Sequence, residues 1–265
     1  MKVPFSTLKK DAKAALRGHW GNAIGILAVY LLILCAVSGI IMIFYPFAEV
    51  MELAMSGEAD PLMALQVFPS MSGMWLGSIL LSIFFLAPLA GGYLKVWLDR
   101  SRGLDTKIST LFSIFSKKYT AFLKTYLWML LFTYLWSLVL SAAVGICIAI
   151  AVAIPALGIL LMLGALLGYI LIVLRYTMTF YIFLDNPELS WRATLNESKR
   201  MMAGNLWRYI GLSLSFIGWL LLCVLIIPVL WIEPYMNTTM ANFYRSLKGE
   251  YNQQPQQPEP PQLDD

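Results

Sequence analysis

The sequence predicts an all-α polytopic membrane protein: a bundle of six transmembrane helices arranged as three hairpins, each preceded by an amphipathic helix at the cytoplasmic surface. Three observations predict it. The 265 residues are 59% hydrophobic and only 13% charged, with a mean hydropathy of +0.71, whereas soluble domains are about 45–50% apolar and about 25% charged. The apolar residues gather into runs long enough to cross a bilayer. The 19 Lys and Arg fall in four segments, 2–17, 95–124, 175–208 and 245–248, while Tyr45 to Trp75 holds none but carries Glu49, Glu52, Glu58 and Asp60. Such sorting is the positive-inside pattern, which puts both termini in the cytoplasm. No basic block is long or aromatic enough to serve a nucleic acid.

The elements follow in order. Over residues 5–19, Phe5, Leu8, Ala12, Ala15 and Leu16 fill one helical arc while Lys9, Lys10, Lys13 and Arg17 fill the next. An amphipathic helix of that kind lies in the headgroup layer with its cations on anionic lipid. Residues 23–45 form the first span, flanked by Trp20, and 46–72 an acidic outer loop with a short helix near Ala48–Ser56. The second span, 74–98, should be kinked or thinned by Pro88 and Gly91-Gly92, and Lys95 should snorkel beside Asp99. In the loop 99–121 a helical period suggests a second interfacial helix.

From Tyr126 to Leu174 the chain carries no charge for 49 residues. A single helix of that length would measure about 74 Å, far beyond one bilayer. Pro155 and Gly158 mark the break, giving spans at 124–152 and 158–182 with Arg175 snorkelling at the inner end. Next comes a third amphipathic stripe, Trp191, Leu195, Ser198 and Met202, with Ser190 as its N-cap and Arg192, Lys199 and Arg200 facing elsewhere. Lys13, Gly18 and Ile24-Gly25 keep the mutual spacings of Lys199, Gly204 and Ile210-Gly211, and Trp20 nearly matches Trp207, an internal echo. The fifth span is 206–226. A sixth, 229–247, kinked at Pro234, returns Arg245 and Lys248 to the cytoplasm. Residues 1–248 thus form one membrane domain, and 249–265 a Gln/Pro-rich tail too polar to bury a core.

Catalytic chemistry is scarce. His19 is the single histidine, and there is no phosphate loop or dinucleotide fingerprint. Cys35, Cys147 and Cys223 lie in apolar runs with no zinc spacing. No catalytic, cofactor or metal site is expected, and the protein reads as a non-enzyme. The pairs Gly21/Gly25, Gly73/Gly77 and Gly164/Gly168 have the spacing of close helix contacts, within the chain or between copies or partner proteins. Two residue sets stand out. Lys9, Lys13, Arg17, Trp20, Arg192, Lys199 and Trp207 form a lipid-interface set. Glu233, Tyr235 and Asn237, with Arg175, form a polar set inside the membrane, readable as a substrate or proton site or as helix–helix contacts.

Three segments carry a family resemblance. AKAALRGHWGNAIG, ESKRMMAGNLWRYIGLSLSFIGW and IEPYMNTTMANFYRSL resemble the opening, the interfacial helix with fifth span, and the closing segment of a bacterial integral-membrane family, domain of unknown function 975. The resemblance runs over about residues 5–248. It implies a six-helix fold in a bacterial plasma membrane and brings no activity, cofactor or ligand. Two functions fit: handling of a lipid or other amphiphile, or support of a transporter, at an anionic inner leaflet; and a non-catalytic scaffold or adaptor holding a partner protein through the glycine faces and the tail.

Overall fold

The computed structural model describes residues 3–43, 72–73, 75–116, 118–222 and 227–252. The expected outer loop, with its short helix near Ala48–Ser56, falls outside them almost entirely, as do residues 253–265. Among the described residues the chain is helical and has no strand. Four helices among the described residues are long and apolar enough to cross a membrane: Trp20–Met42, Trp75–Ser101, Tyr119–Ala153 and Pro155–Asp185.

Helix α1, Phe5–Leu16, buries Leu8, Ala12 and Leu16, a stripe at i, i+4 and i+8 that one helical face presents. It ends at Arg17 in extended backbone, and Gly18 follows at φ 79°, a conformation that costs an L side chain about 1–2 kcal/mol. Helix α2, Trp20–Ile43, then starts in a new direction. The helix α3, Trp75–Ser101, holds a π-helical turn at Ser82–Leu86 directly before Pro88. Proline supplies no N–H to the carbonyl four residues back. That carbonyl, on Phe84, instead accepts a hydrogen bond from the Tyr119 hydroxyl at 2.8 Å.

The loop after α3 corrects one expectation. Instead of an interfacial α-helix it carries a 3₁₀ segment, Ile108–Phe115, and Tyr119 already belongs to the next helix. Leu111 and Ile114, three apart, are both buried, and a period of three is what a 3₁₀ helix offers. The segment lies so close to α3 that a methyl on Gly92 would fall 1.8 Å from the Leu111 carbonyl oxygen. Buried Arg100 ties the loop to α2 through Asn22 Oδ1 (2.8 Å) and the Thr106 hydroxyl (2.7 Å).

Helix α4, Tyr119–Ala153, and helix α5, Pro155–Leu174, are separated by Ile154 alone. Gly158 packs onto Ala151, where a methyl would come within 2.4 Å of its Cβ. At 35 residues α4 is about 52 Å long, so its first turns extend beyond a hydrocarbon core of about 30 Å, and there Phe122 is buried. Most of the remaining length of both helices is exposed or half-buried, with Leu160 66% and Val152 84% accessible, although Leu123, Thr125, Cys147 and Gly158 are buried. After a turn at Arg175–Met178 come α6, Thr179–Asp185, and α7, Trp191–Met202. The Ser190 hydroxyl accepts the Ala193 N–H at 3.3 Å as the N-cap of α7.

The expected single span 206–226 is interrupted in the structure. Helix α8, Leu206–Leu214, stops at Ser215, and α9, Ile217–Leu222, resumes after Phe216. Lys9 supplies the reason: its ammonium donates to the Ser215 carbonyl at 3.2 Å, satisfying a helix end with a cation. Helix α10, Val229–Lys248, includes Pro234 and ends at Gly249, φ 84°. Its second half is largely enclosed. Thr238, Thr239, Asn242 and Arg245 are buried there with Ala241, Phe243 and Tyr244, against α1 and the Ala87–Ser101 part of α3.

The tail starts later than expected. Gly249 to Asn252 is docked, with Glu250–Asn252 forming a short 3₁₀ turn, because Glu250 is held by Arg102 (2.6 Å) and Arg245 (3.0 Å).

Candidate functional site

Two features at the helix bundle combine polarity with apolar surroundings. The first is a half-open groove of about 390 Å³. Tyr30 of α2, Ser82, Ala90 and Gly91 of α3, Tyr126 of α4 and Phe180 of α6 are among the residues that line it. Its floor exists because α3 is thin there: a methyl on Gly91 would meet the Phe122 ring at 2.7 Å. The π-helical turn lies along its wall, and such turns recur where a helix must widen for a ligand. The groove can hold an apolar chain, with tyrosine and serine hydroxyls available at its edges.

The second feature is the Glu233 cluster. The Tyr93 hydroxyl donates to Glu233 Oε2, and Asn237 Nδ2 donates to Oε1 at 2.5 Å and to the Glu233 carbonyl at 3.0 Å. Tyr30, which lines the groove, stacks on Tyr93 with ring centroids 4.1 Å apart. Among the described residues no cation pairs with Glu233.

The sequence-selected residues divide accordingly. Glu233 and Asn237 meet. Tyr235 faces elsewhere, buried against Phe216 and Trp219 with Lys13 over its ring at 5.5 Å. Arg175 is exposed at the end of α5, where its carbonyl accepts from Ser198, and it takes no part in the cluster. In the lipid-interface set, Lys13, Arg17, Arg192, Lys199 and Trp207 are exposed. Lys9 is half-buried, bound to Ser215 and 4.4 Å from the Phe216 ring centre. Burial, and then the neighbouring Lys13, lower its pKa. Trp20 is half-buried against the core. Arg192 lies over the Trp191 ring, which itself stacks on Trp128 at 4.1 Å. Lys199 stands 5.9 Å from the Tyr176 ring centre.

Sequence reasoning missed an ion cluster at the C-terminal ends of α3, α6 and α10. Arg102 grips Asp185 with both terminal nitrogens (2.7 and 2.9 Å) and Glu250 at 2.6 Å. Lys248 reaches Asp185 at 2.7 Å and Glu250 at 3.3 Å, and the Tyr244 hydroxyl donates to Asp185 at 2.8 Å. Burial pushes the Glu250 carboxyl up, but the bonds from Arg102, Arg245 and Lys248 outweigh it and hold it below its ordinary range. Asp185 was the legible signal, an acid standing alone after an apolar stretch with cations at both neighbouring helix ends. Among the described residues no group of three or more His, Cys, Asp or Glu could hold a metal ion.

The described residues thus form a helical fold with four helices apolar enough to span a membrane, a groove between α2, α3, α4 and α6, and a cluster of ion pairs at the C-terminal ends of α3, α6 and α10. The family model described as "Protein of unknown function (DUF975)" matches residues 1–251, and the chain belongs to that family. No curated protein and no solved structure matches it.

Proposed function

We propose that the protein is a bacterial plasma-membrane protein that handles a lipid or similar amphiphile, with an acyl chain as the occupant of the groove between α2, α3, α4 and α6. The groove itself carries this reading. It lies beside helices apolar enough to span a bilayer, where the molecules free to enter from the side are lipid tails. A recess lined by Tyr30, Tyr126 and Phe180 gains contacts only if a chain fills it. The exposed cations of α1 and α7, namely Lys10, Lys13, Arg17, Arg192, Lys199 and Arg200, suit anionic headgroups. In this reading α8–α9 and α10 supply the fifth and sixth spans, with the N- and C-termini in the cytoplasm.

Native mass spectrometry of the full chain in lipid nanodiscs tests it. One lipid or amphiphile per chain is expected to remain bound, and Ala90→Trp, which puts an indole into the groove from an exposed position, should release it. Retention of the lipid by Ala90→Trp removes the groove from the function. A stoichiometric protein with only bulk lipid would make the molecule an adaptor.

A further inference from the structure

We infer that Glu233, Tyr93 and Asn237 form a reversible proton-binding site inside the bundle, at the contact between α10 and α3. The site stands independently of the groove. Tyr93 lies nine residues before Arg102, so the carboxyl sits about 14 Å along α3 from the ion cluster at its end. A carboxylate at such a place carries a large desolvation cost unless a cation compensates it or it takes up a proton.

Among the described residues the surroundings hold no such cation. From α2 the titratable group is Tyr30, from α3 Tyr93 and from α6 Tyr181. Helix α9 offers none, and α1 turns Lys9 and Lys13 to Phe216 and Tyr235 instead. What faces Glu233 are two neutral donors, each on its own carboxylate oxygen. Two donors can satisfy the ion in part, but they do not cancel its charge.

The same two partners can serve the neutral acid. A proton arriving on Oε1 turns that oxygen from acceptor to donor. The Asn237 amide then rotates so that its Oδ1 accepts the new O–H, while the Tyr93 hydroxyl continues to donate to Oε2. Both forms are therefore hydrogen-bonded, which is what a site needs in order to titrate rather than remain locked in one state. Glu233 is half-buried. Pro234 adds compliance at this point of α10: it leaves the Leu230 carbonyl without an intrahelical N–H, and the re-pairing at Asn237 occurs one turn further on.

Infrared difference spectroscopy on the full chain in nanodiscs, titrated in pH at fixed ionic strength, tests the site. The carbonyl-stretch band of a protonated carboxylic acid should rise as pH falls, and Glu233→Gln, which keeps the size and the hydrogen-bonding shape, should lose it. Tyr93→Phe removes a donor to the charged form, so the band should persist with its midpoint at higher pH. Thermal unfolding of each variant identifies one that has lost its fold, in which case the Tyr93→Phe shift decides. A band unchanged in Glu233→Gln, or a midpoint unmoved in Tyr93→Phe, overturns the proposal. So does a band abolished by sodium at constant pH, which would make the site one for an alkali cation.

Discussion

Gly92 leaves no room for a side chain, because the Leu111 carbonyl oxygen would lie 1.8 Å from an added methyl. Gly92→Ala should therefore cost about 1–3 kcal/mol or more by overpacking against backbone, read as a lowered midpoint of thermal unfolding in detergent. Gly18→Ala and Gly204→Ala are a different case. Nothing lies within 4 Å of either added methyl, but φ is 79° and 74°, so each should cost about 1–2 kcal/mol through the backbone alone. Asn242 joins α10 to α1 by donating to the Leu8 carbonyl at 3.1 Å, and it is fully buried. Asn242→Leu should lose about 1–3 kcal/mol, because it removes that tie and takes the Oδ1 acceptor away from the buried Arg245 guanidinium, 3.3 Å away. The pairs at GxxxG spacing behave otherwise: methyls on Gly21, Gly25, Gly164 or Gly168 meet nothing within 4 Å. Spacing announces small residues, but only the neighbouring chain shows which of them are pressed.

At the scale of elements, the echo between Lys13–Gly25 and Lys199–Gly211 extends well past the residues that first suggested it. Both amphipathic helices have twelve residues, with N-caps Pro4 and Ser190 at ψ 154° and 151° and C-caps Arg17 and Ala203 at ψ 127° and 122°. Leu8, Ala12 and Leu16 match Thr194, Ser198 and Met202 in position and burial, and Ile26 matches Leu212. The two units therefore share a bend as well as a sequence pattern. The ion cluster locks the other end of the fold. Glu250 is held below its ordinary range in the folded state, so its stabilisation is present above the unfolded carboxylate value of about 4.3 and is lost as pH falls through the folded value. Hydrogen-exchange protection at the end of α10, taken relative to the intrinsic amide rate at each pH, should fall in acid below about pH 4.3. Glu250→Gln should raise exchange at neutral pH and flatten that acid dependence, and an unchanged profile would show that the cluster does not fasten α10.

For the whole molecule, the positive-inside pattern and the exposed tip at Val152 make a topological prediction. In a variant whose native cysteines are replaced, Val152→Cys should react with a membrane-impermeant maleimide from outside intact cells. Arg17→Cys should react only after the cells are opened. The reverse pattern would invert the orientation. Function is harder to read at this scale because the features that bear on it are assembled from distant segments. Glu233 and Asn237 were visible as polar residues in an apolar stretch, yet Tyr93 and Tyr30, which complete their surroundings, come from 140 residues away and more. Lys9 resembled a headgroup contact by its helical position, whereas it caps a helix 206 residues further on.

The sequence by itself determined the helical class, the membrane-length apolar runs, the break near Pro155 and the cap at Ser190, since each depends on local periodicity or on the backbone chemistry of one residue. Tertiary structure alone decided that Ile108–Phe115 winds as a 3₁₀ helix, that the segment after Leu214 breaks, and that Glu250 is fastened instead of trailing with the tail. It also decided where the groove opens. These outcomes depend on which backbone can approach Gly92, which cation reaches Ser215 and which guanidinium meets Asp185, and such pairings are set by packing between segments far apart in the chain.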